Sequence, residues 1–234
     1  KLADATKLPR LIYQRDHAAR VSVDAASLRD DSVCPEVYHD YAKVLAEQEW
    51  PEAPCVPLPS THELYILYTS GTTGSPKGIV RDQGGTAVGL NYCMKNVFNV
   101  GVGSVHYAVS DIGWVVGHSF IVYGPLIRGC TTLFFEGKPH VPDAGTLWKI
   151  CEKHKVTSLY MAPTAVRLLK KVDYEGEHVR KYDMSTVQSY SLVGERCDPD
   201  SIAWIHRHFP QCIINDTWWQ TETGWPIAAN LLNL

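Results

Sequence analysis

The clearest pattern along the chain is an alternation of short apolar runs with stretches of helical periodicity. Six runs rich in apolar, β-branched and aromatic residues predict strands over 64–69, 105–109, 131–135, 157–161, 189–193 and 212–215. Between them, apolar residues recur at helical spacing and predict helices over 84–98, 117–128, 143–154, 164–172 and 200–208. This alternation predicts an α/β fold, with β-α-β units, a mainly parallel doubly wound sheet and flanking helices.

The first 60 residues lack this alternation. They contain one helical pattern, over 36–49, and a proline-rich connector, PEAPCVPLPS, over 51–60. We therefore predict an irregular N-terminal part over 1–60 and an α/β core over 61–234. The chain starts with KLADATKLPR, without an initiator methionine or a signal-peptide pattern, so we interpret it as a piece of a longer protein.

Composition narrows the class of function. The 234 residues carry a net charge of −3 and are 45% hydrophobic, which gives ample core and argues against a nucleic-acid partner. No apolar run reaches membrane-spanning length, so we expect no membrane insertion. The seven cysteines contain no C-x-x-C pair, which favours an intracellular, reducing compartment, the cytoplasm or the mitochondrial matrix. The closest histidine pair, His206 and His208, lies on a predicted helix and is interpreted as surface or core.

A stretch of unusual composition, LYILYTSGTTGSPKGIV, covers residues 64–80. An apolar run leads into glycines that allow close backbone approach, hydroxyls that donate hydrogen bonds and one lysine, which is what a polyphosphate needs. These are Gly71, Gly74, Gly78, Thr69, Ser70, Thr72, Thr73, Ser75 and Lys77. The spacing does not match the P-loop of common NTPases. Because ligands bind outside the carboxyl ends of strands in doubly wound sheets, we place this loop at such an end.

Three further stretches follow predicted strands: SDIGWVVGHSFIVYGPL over 110–126, SLVGERCD over 191–198 and NDTWWQTETG over 215–224. Two adjacent tryptophans in a loop commonly line a pocket. Glu222 beside a phosphate loop suits Mg²⁺, which takes one or two carboxylates together with phosphate oxygens. Each residue also has an ordinary interpretation: Trp114 as core, Glu195 as a helix start and Glu222 as a solvated surface group.

In combination the stretches resemble one family. YTSGTTGSPKG, GWVVGHSFIVYGPL, FEGKP, APTAVR, VGER and DTWWQTETG occur in the order and at the spacing of the AMP-forming acyl-CoA synthetases. These belong to the adenylate-forming superfamily, and the resemblance is to the short-chain branch that contains acetyl-CoA and propionyl-CoA synthetases. It covers nearly all of residues 62–230. It implies that the chain is the central part of the large N-terminal domain of such an enzyme.

The resemblance implies roles for individual residues. Lys77 and Thr221 would be catalytic, Glu222 would bind Mg²⁺, and Val116 and His140 would lie near coenzyme A. The ATP site would comprise Thr69, Ser70, Gly71, Thr72, Thr73, Gly74, Ser75, Lys77, Gly194, Glu195, Arg196, Asp216, Thr217, Trp218, Trp219, Gln220 and Thr221. The acyl pocket would comprise Trp114, Val115, Val116, Val193 and Trp219.

The implied reaction is ATP-dependent activation of a short-chain carboxylate to an acyl-adenylate and then to acyl-CoA, with release of AMP and pyrophosphate. Val116, where acetate-specific members usually carry a hydroxyl residue, and Arg196-Cys197, where they usually carry proline, favour propionate; acetate and butyrate stay open. Two alternatives stay open too: a non-catalytic nucleotide-binding fragment and an adenylating enzyme with another acyl acceptor. The family's smaller C-terminal domain, with its catalytic lysine, and the ribose-binding acidic residue are not among these residues, so we expect the chain to be inactive alone.

Overall fold

The computed structural model describes residues 10–12, 38–40, 46, 54–71 and 74–232. The chain divides into two compact units, Lys1–Val56 and Pro57–Leu234. In the first unit, strand β1 (Arg10–Ile12) pairs in parallel with strand β2 (Tyr38–Asp40). The predicted helix over 36–49 is therefore wrong at these three positions, because pairing with a distant strand overrides the local pattern. Ala46 is helical, and the rest of that prediction lies outside the described residues.

The second unit contains a β-hairpin. Strands β3 (Glu63–Thr69) and β4 (Lys77–Asp82) pair antiparallel, and their last paired residues are Thr69 and Lys77. Strand β4 was not predicted, because Ile79 and Val80 are the only large apolar residues in it and its conformation depends on the ladder with β3. The glycine-rich segment is therefore a hairpin loop. Its predicted place after a strand of the parallel sheet is wrong.

The main sheet has five parallel strands in the order β6-β5-β7-β8-β9. They are β5 (Val105–Val109), β6 (Thr131–Leu133), β7 (Ser158–Met161), β8 (Ser189–Leu192) and β9 (Ile213–Asp216). This confirms the predicted α/β class. The chain goes from β5 outwards to β6 and then returns past β5 to β7, so the strand order reverses between β5 and β7. Ligands of open α/β sheets bind outside the carboxyl ends at such a reversal.

Five helices flank the strands in the described part of this unit. They are α1 (Gln83–Asn96), α2 (Val115–Gly117, a π-helical turn His118–Tyr123 and Gly124–Arg128), α3 (Thr146–His154), α4 (Pro163–Val172) and α5 (Pro199–His208). A short 3₁₀ turn covers Val179–Lys181. Helix α3 begins later than predicted, because the carboxylate of Asp143 accepts the N–H of Gly145 at 2.7 Å and holds a turn before the helix. None of the described helices is long and apolar enough to cross a membrane.

Two separate hydrophobic cores lie on opposite faces of the main sheet. Successive strand residues point to opposite faces, and Tyr107 and Ala108 of β5 accordingly belong to different cores, as do Leu159 and Tyr160 of β7. The first core packs helices α3, α4 and α5 against the sheet, and the second packs α1 and α2. The sheet is therefore covered on both faces, as a doubly wound fold requires.

A fully buried histidine lies in the middle of the sheet. The Nδ1 atom of His106 in β5 is 3.0 Å from the hydroxyl of Ser158 in β7, and its Nε2 atom is buried without a partner in the described part of the chain. Burial lowers the pKa of His106 to about 4, because the charged imidazolium loses its hydration. His106 is therefore neutral in the folded protein at physiological pH.

His106 makes the stability of this unit depend on pH. Between the unfolded pKa and the lower folded pKa, the unfolded chain binds the extra proton, so acid favours unfolding. We expect a loss of about 2 kcal/mol in the free energy of unfolding from about pH 7.5 to about pH 5 from this group alone. Urea unfolding across this range, compared with His106→Gln, measures the contribution. Equal pH slopes for the two proteins would contradict it.

Candidate functional site

A cavity of about 640 Å³ opens at the carboxyl ends of the parallel strands, at the reversal between β5 and β7. This volume is typical of small-molecule sites. The cavity is lined by Thr69, Val109, Ser110, Trp114, Val115, Val116, Tyr160, Met161, Ala162, Thr164, Val193, Gly194, Trp219, Gln220, Thr221 and Glu222. The hairpin, helix α2 and the loops after β5, β7, β8 and β9 thus meet at one place, although they are distant in sequence.

All five residues predicted for an acyl pocket line this cavity. Val115, Val193 and Trp219 are buried, Val116 is half-buried, and Trp114 is exposed at the start of helix α2. Together they form an apolar wall. The wall continues the second hydrophobic core, to which three of these residues belong.

Trp219 is held in place by a chain of hydrogen bonds. Its indole N–H donates to the hydroxyl of Tyr160 at 2.8 Å, and the hydroxyl of Thr217 donates to the carbonyl of Leu192 at 2.6 Å. The hydroxyls of Tyr160 and Thr217 are 3.4 Å apart, so the Tyr160 O–H completes the chain by donating to Thr217. Burial raises the pKa of Tyr160, which keeps this proton on the oxygen. Phe120 meets the indole edge to face, with ring centres 5.5 Å apart.

Of the other residues in the predicted 216–222 segment, some line the cavity and others do not. Gln220, Thr221 and Glu222 line the cavity, and Glu222 is exposed. The Thr217 side chain is buried in the core, whereas the Trp218 side chain is exposed and its backbone forms a β-bridge with Ala228. The polar lining of the cavity from this segment is therefore contributed by residues 220–222.

Strand β3 contributes its last residue, Thr69, to the cavity, directly before the hairpin loop. Its Oγ1 atom is buried and has no hydrogen-bond partner among the residues that the structure describes, which suits a ligand that can complete the bond. Gly71 has a φ of 65°, and a Cβ there would lie 2.6 Å from the carbonyl oxygen of Ser75, so only glycine fits this turn. The predicted residues Ser70, Gly74, Ser75 and Lys77 are exposed, and Thr72 and Thr73 lie outside the described residues.

The loop after β8 is tied to helix α4. Gly194 lines the cavity with a φ of 101°. The carboxylate of its neighbour Glu195 accepts a hydrogen bond from Arg167 at 2.5 Å, and Arg167 also reaches Asp198 at 3.4 Å. The backbone N–H of Ser201 lowers the pKa of Asp198 to about 2, so Asp198 stays ionised and caps helix α5.

Not every predicted site residue lies at this cavity. Arg196 and Asp216 line a neighbouring open cleft of about 590 Å³ instead. There one oxygen of Asp216 accepts the N–H of Cys197 at 3.0 Å, and the other is buried with no partner among the residues described. His140 lies partly exposed in the loop after β6, outside the set of residues that line either space.

Several lining residues were missed by sequence reasoning, among them Ser110, Tyr160 and Thr164. Thr164 belongs to APTAVR, a motif that supported the resemblance without receiving a role, so this signal was available. Arg81 was missed too: its Nη2 atom donates to the carbonyl of Thr221 at 2.6 Å from behind the cavity wall. No local pattern indicated that contact.

The charged side chains at the cavity suit a metal ion only if an anionic ligand supplies part of its coordination. Among the described residues no group of three or more His, Cys, Asp or Glu side chains could hold a metal ion by itself. Glu222 is the one carboxylate among the residues that line the cavity in the described part of the chain. One carboxylate in the same cavity as the Thr69 hydroxyl, which has no partner among the described residues, fits Mg²⁺ carried by a nucleotide, which draws its other ligands from phosphate and water.

The chain is similar in sequence to several known proteins. A bovine protein named acyl-CoA synthetase short-chain family member 3, mitochondrial, is 42% identical over 225 residues, which are 96% of this chain and 31% of that protein. The propionate–CoA ligase of Escherichia coli is 45% identical over 190 residues, 81% of this chain and 30% of that protein. An uncharacterized protein of Pseudomonas aeruginosa is 48% identical over 198 residues, 83% of this chain and 31% of that protein.

This chain therefore spans a little under a third of the length of these relatives. The names of two of them confirm the resemblance to the short-chain acyl-CoA synthetases that the motifs indicated. The sequence profile of the family described as AMP-binding enzyme matches residues 3–233. Because that match covers nearly all of the sequence, the chain belongs to the family of AMP-binding enzymes.

Proposed function

We propose that the protein carrying this chain is an ATP-dependent acid–thiol ligase. It activates a short-chain carboxylate, propionate in preference to acetate or butyrate, as an acyl-adenylate and transfers the acyl group to coenzyme A. The observation that supports this most is the meeting of an apolar wall, Thr69 at the end of β3, where the hairpin loop begins, and residues 220–222 around one cavity at the strand-order reversal. A carboxylate with a short apolar tail and a nucleotide phosphate need these two kinds of surface side by side.

The proposed chemistry has two steps. A carboxylate oxygen attacks the α-phosphorus of ATP and pyrophosphate leaves; the thiol of coenzyme A then attacks the acyl carbon and AMP leaves. Both first-step reactants are anions, so the site must orient them and offset their charge. We assign these tasks to the hydroxyls and N–H groups of the hairpin loop, to Lys77 and to Thr221. Mg²⁺, held by Glu222 and phosphate oxygens, would supply further charge neutralisation.

The thioester sulfur is proposed to come from coenzyme A, not from a protein cysteine. The described cysteines are all free, and none of them lines the cavity. Burial raises the pKa of Cys93 and of Cys212 to about 12 and that of Cys197 to about 11, so these thiols are poor nucleophiles at neutral pH. Free thiols are consistent with a reducing compartment, the cytoplasm or the mitochondrial matrix. For coenzyme A itself, Val116 and His140 are proposed to lie near the bound molecule.

Chain length is proposed to be limited by Trp219. Its indole is only 7% exposed and forms part of the apolar wall together with Val193 and Val115. An acyl tail against this wall meets a ring that hydrogen bonding and aromatic packing hold in one position. A short tail therefore fits better than a long one, although one methylene changes affinity by only about 1–3 kcal/mol.

The proposal is tested with the full-length protein and a series of carboxylates. Carboxylate-dependent exchange of pyrophosphate into ATP measures the first step, and formation of acyl-CoA measures the second. We expect both, with the highest kcat/KM for propionate. Exchange without acyl-CoA formation would point to another acyl acceptor. Nucleotide binding without exchange for any carboxylate would support the non-catalytic alternative.

Lys77 gives a first residue-level prediction. Lys77→Ala should weaken the use of MgATP by about tenfold to a hundredfold, because a charged hydrogen bond to phosphate contributes roughly 1.5–3 kcal/mol. The side chain is exposed at the start of β4, so thermal stability should stay unchanged. Lys95→Ala, which removes an exposed lysine in the last turn of α1, is the matched control. Unchanged ATP kinetics in Lys77→Ala would remove Lys77 from the site.

A further inference from the structure

Arg81 connects the hairpin to the segment that carries Glu222. It lies in β4, beyond the glycine-rich loop, and does not line the cavity. Its Nη2 atom donates to the carbonyl oxygen of Thr221 at 2.6 Å, across 140 positions of sequence. The next residue is Glu222, so the contact fixes the backbone immediately before the one carboxylate among the described lining residues.

The packing around Arg81 leaves the guanidinium little freedom. Its Cζ atom lies 5.5 Å from the centre of the Trp225 ring. Gly224 has a φ of 81°, and a Cβ at that position would lie 2.7 Å from Cζ, so the backbone passes directly over the guanidinium. The hydroxyl of Ser119 in the π-helical turn also donates to the carbonyl of Gly224, at 2.8 Å. Arg81 and Ser119 thus hold the 221–224 segment from two different elements.

The described contacts of the guanidinium are with neutral groups. They are the carbonyl of Thr221, the backbone at Gly224, the ring of Trp225 and the neighbouring phenol of Tyr65. Burial raises the pKa of Tyr65, and the positive charge of Arg81 opposes part of that shift. A planar guanidinium can donate to a carbonyl and lie against an aromatic ring at once, which a lysine ammonium cannot do equally well.

We infer that Arg81 is a positioning residue that fixes Thr221 and, through it, the carboxylate of Glu222 relative to the hairpin loop. The inference rests on the proposed function, in which this loop binds phosphate and Glu222 holds Mg²⁺. Residues that orient a metal ligand from behind typically change metal affinity or activity by about 10–100-fold when they are replaced. The phosphate-binding and metal-binding parts of the site would therefore be aligned by one side chain that touches neither ligand.

The first test does not depend on activity. The N–H groups of Thr223 and Gly224 donate to the carbonyl of Gln220 at 3.0 and 3.1 Å. In the ligand-free, full-length protein, Arg81→Gln should speed hydrogen exchange at these two amides about tenfold or more, since local opening becomes easier. Arg128→Gln is the matched control, because Arg128 also donates to a backbone carbonyl, that of Val100 at 2.9 Å, but lies away from the cavity. Unchanged exchange in Arg81→Gln would overturn the inference.

The second test separates positioning from a general loss of stability. In Arg81→Gln, kcat for pyrophosphate exchange should fall about 10–100-fold and the Mg²⁺ requirement should rise, with the KM for carboxylate within about twofold. Arg81→Lys should recover part of the rate by donating to the Thr221 carbonyl. Arg128→Gln should change only thermal stability. If the two glutamine variants lose activity equally, in proportion to their folded fractions, Arg81 has no positioning role.

The two proposals fail in different ways. If the wild-type protein exchanges no pyrophosphate with any carboxylate, the proposed function is wrong, and amide exchange still decides whether Arg81 holds the 221–224 segment. If the wild-type protein is active and Arg81→Gln changes neither amide exchange nor the Mg²⁺ requirement, the proposed function stands and the role of Arg81 is refuted.

Discussion

Glu222→Gln in the full-length protein is expected to lose most of its adenylation activity while keeping its fold. Glutamine preserves the size of the side chain and removes the negative charge that we assign to Mg²⁺ binding. Metal ions contribute several kcal/mol to stabilising developing charge, and tenfold in rate corresponds to about 1.4 kcal/mol, so we expect a loss of about a hundredfold or more. Pyrophosphate exchange as a function of Mg²⁺ concentration measures it.

The fold should tolerate this change because Glu222 is exposed. Glu222→Asp is the informative companion variant: it keeps the charge and shortens the side chain, so raised Mg²⁺ should recover part of its activity. Normal activity and normal Mg²⁺ dependence in Glu222→Gln would mean that Glu222 is a solvated surface residue.

Trp219→Gly is expected to invert the preference for acyl chain length. Removing the indole opens the apolar wall, and each additional buried methylene of a longer tail then contributes about 0.8 kcal/mol. Hexanoate has three methylenes more than propionate, so the ratio of their kcat/KM values should shift by about 2.4 kcal/mol, or roughly fiftyfold. Propionate itself should become a poorer substrate, because the cavity beside it forfeits packing contacts.

The structure also predicts what this change does to stability. Trp219 packs against Phe120 and donates to Tyr160, and truncating a large buried aromatic residue costs about 3–5 kcal/mol. Kinetics should therefore be normalised to the fraction of folded protein. Trp219→Phe keeps most of the volume but removes the N–H and shortens the ring system by three atoms, so it should lose stability and shift the preference for chain length much less than Trp219→Gly. Uniform loss over the whole carboxylate series in Trp219→Gly would show that the indole supports the loop and does not limit the substrate.

Buried strands could be predicted from the sequence more easily than exposed ones. Every residue of β7 and β8 is buried, so both strands lack charged residues and combine large apolar side chains with small serines, a pattern that can be detected in the sequence. Strand β4 has exposed residues at four of its six positions and contains Lys77, Arg81 and Asp82, so nothing local distinguishes it from a loop. Its strand conformation comes from pairing with β3, which explains why the glycine-rich segment could be located but not correctly placed relative to the parallel sheet.

Site residues could be predicted from the sequence where they lie within or next to a recognisable motif. Val115, Val116 and Trp219 occur in distinctive stretches, and the structure brings them to one cavity. Arg81 shows the limit: its partner Thr221 is 140 positions away, and the contact depends on how a hairpin meets a loop. Only three-dimensional packing could reveal it.

The second hydrophobic core contributes more residues to the lining of the cavity than the first. Val115, Tyr160, Val193 and Trp219 belong to the second core and also line the cavity, whereas Met161 is the one member of the first core that does so among the described residues. Substitutions that change substrate preference at these positions therefore lower the stability of the second core, on one face of the sheet. In laboratory evolution, substitutions that improve the packing of α3, α4 and α5 on the opposite face should restore the lost stability. They should have little effect on substrate selectivity, because they lie away from the cavity.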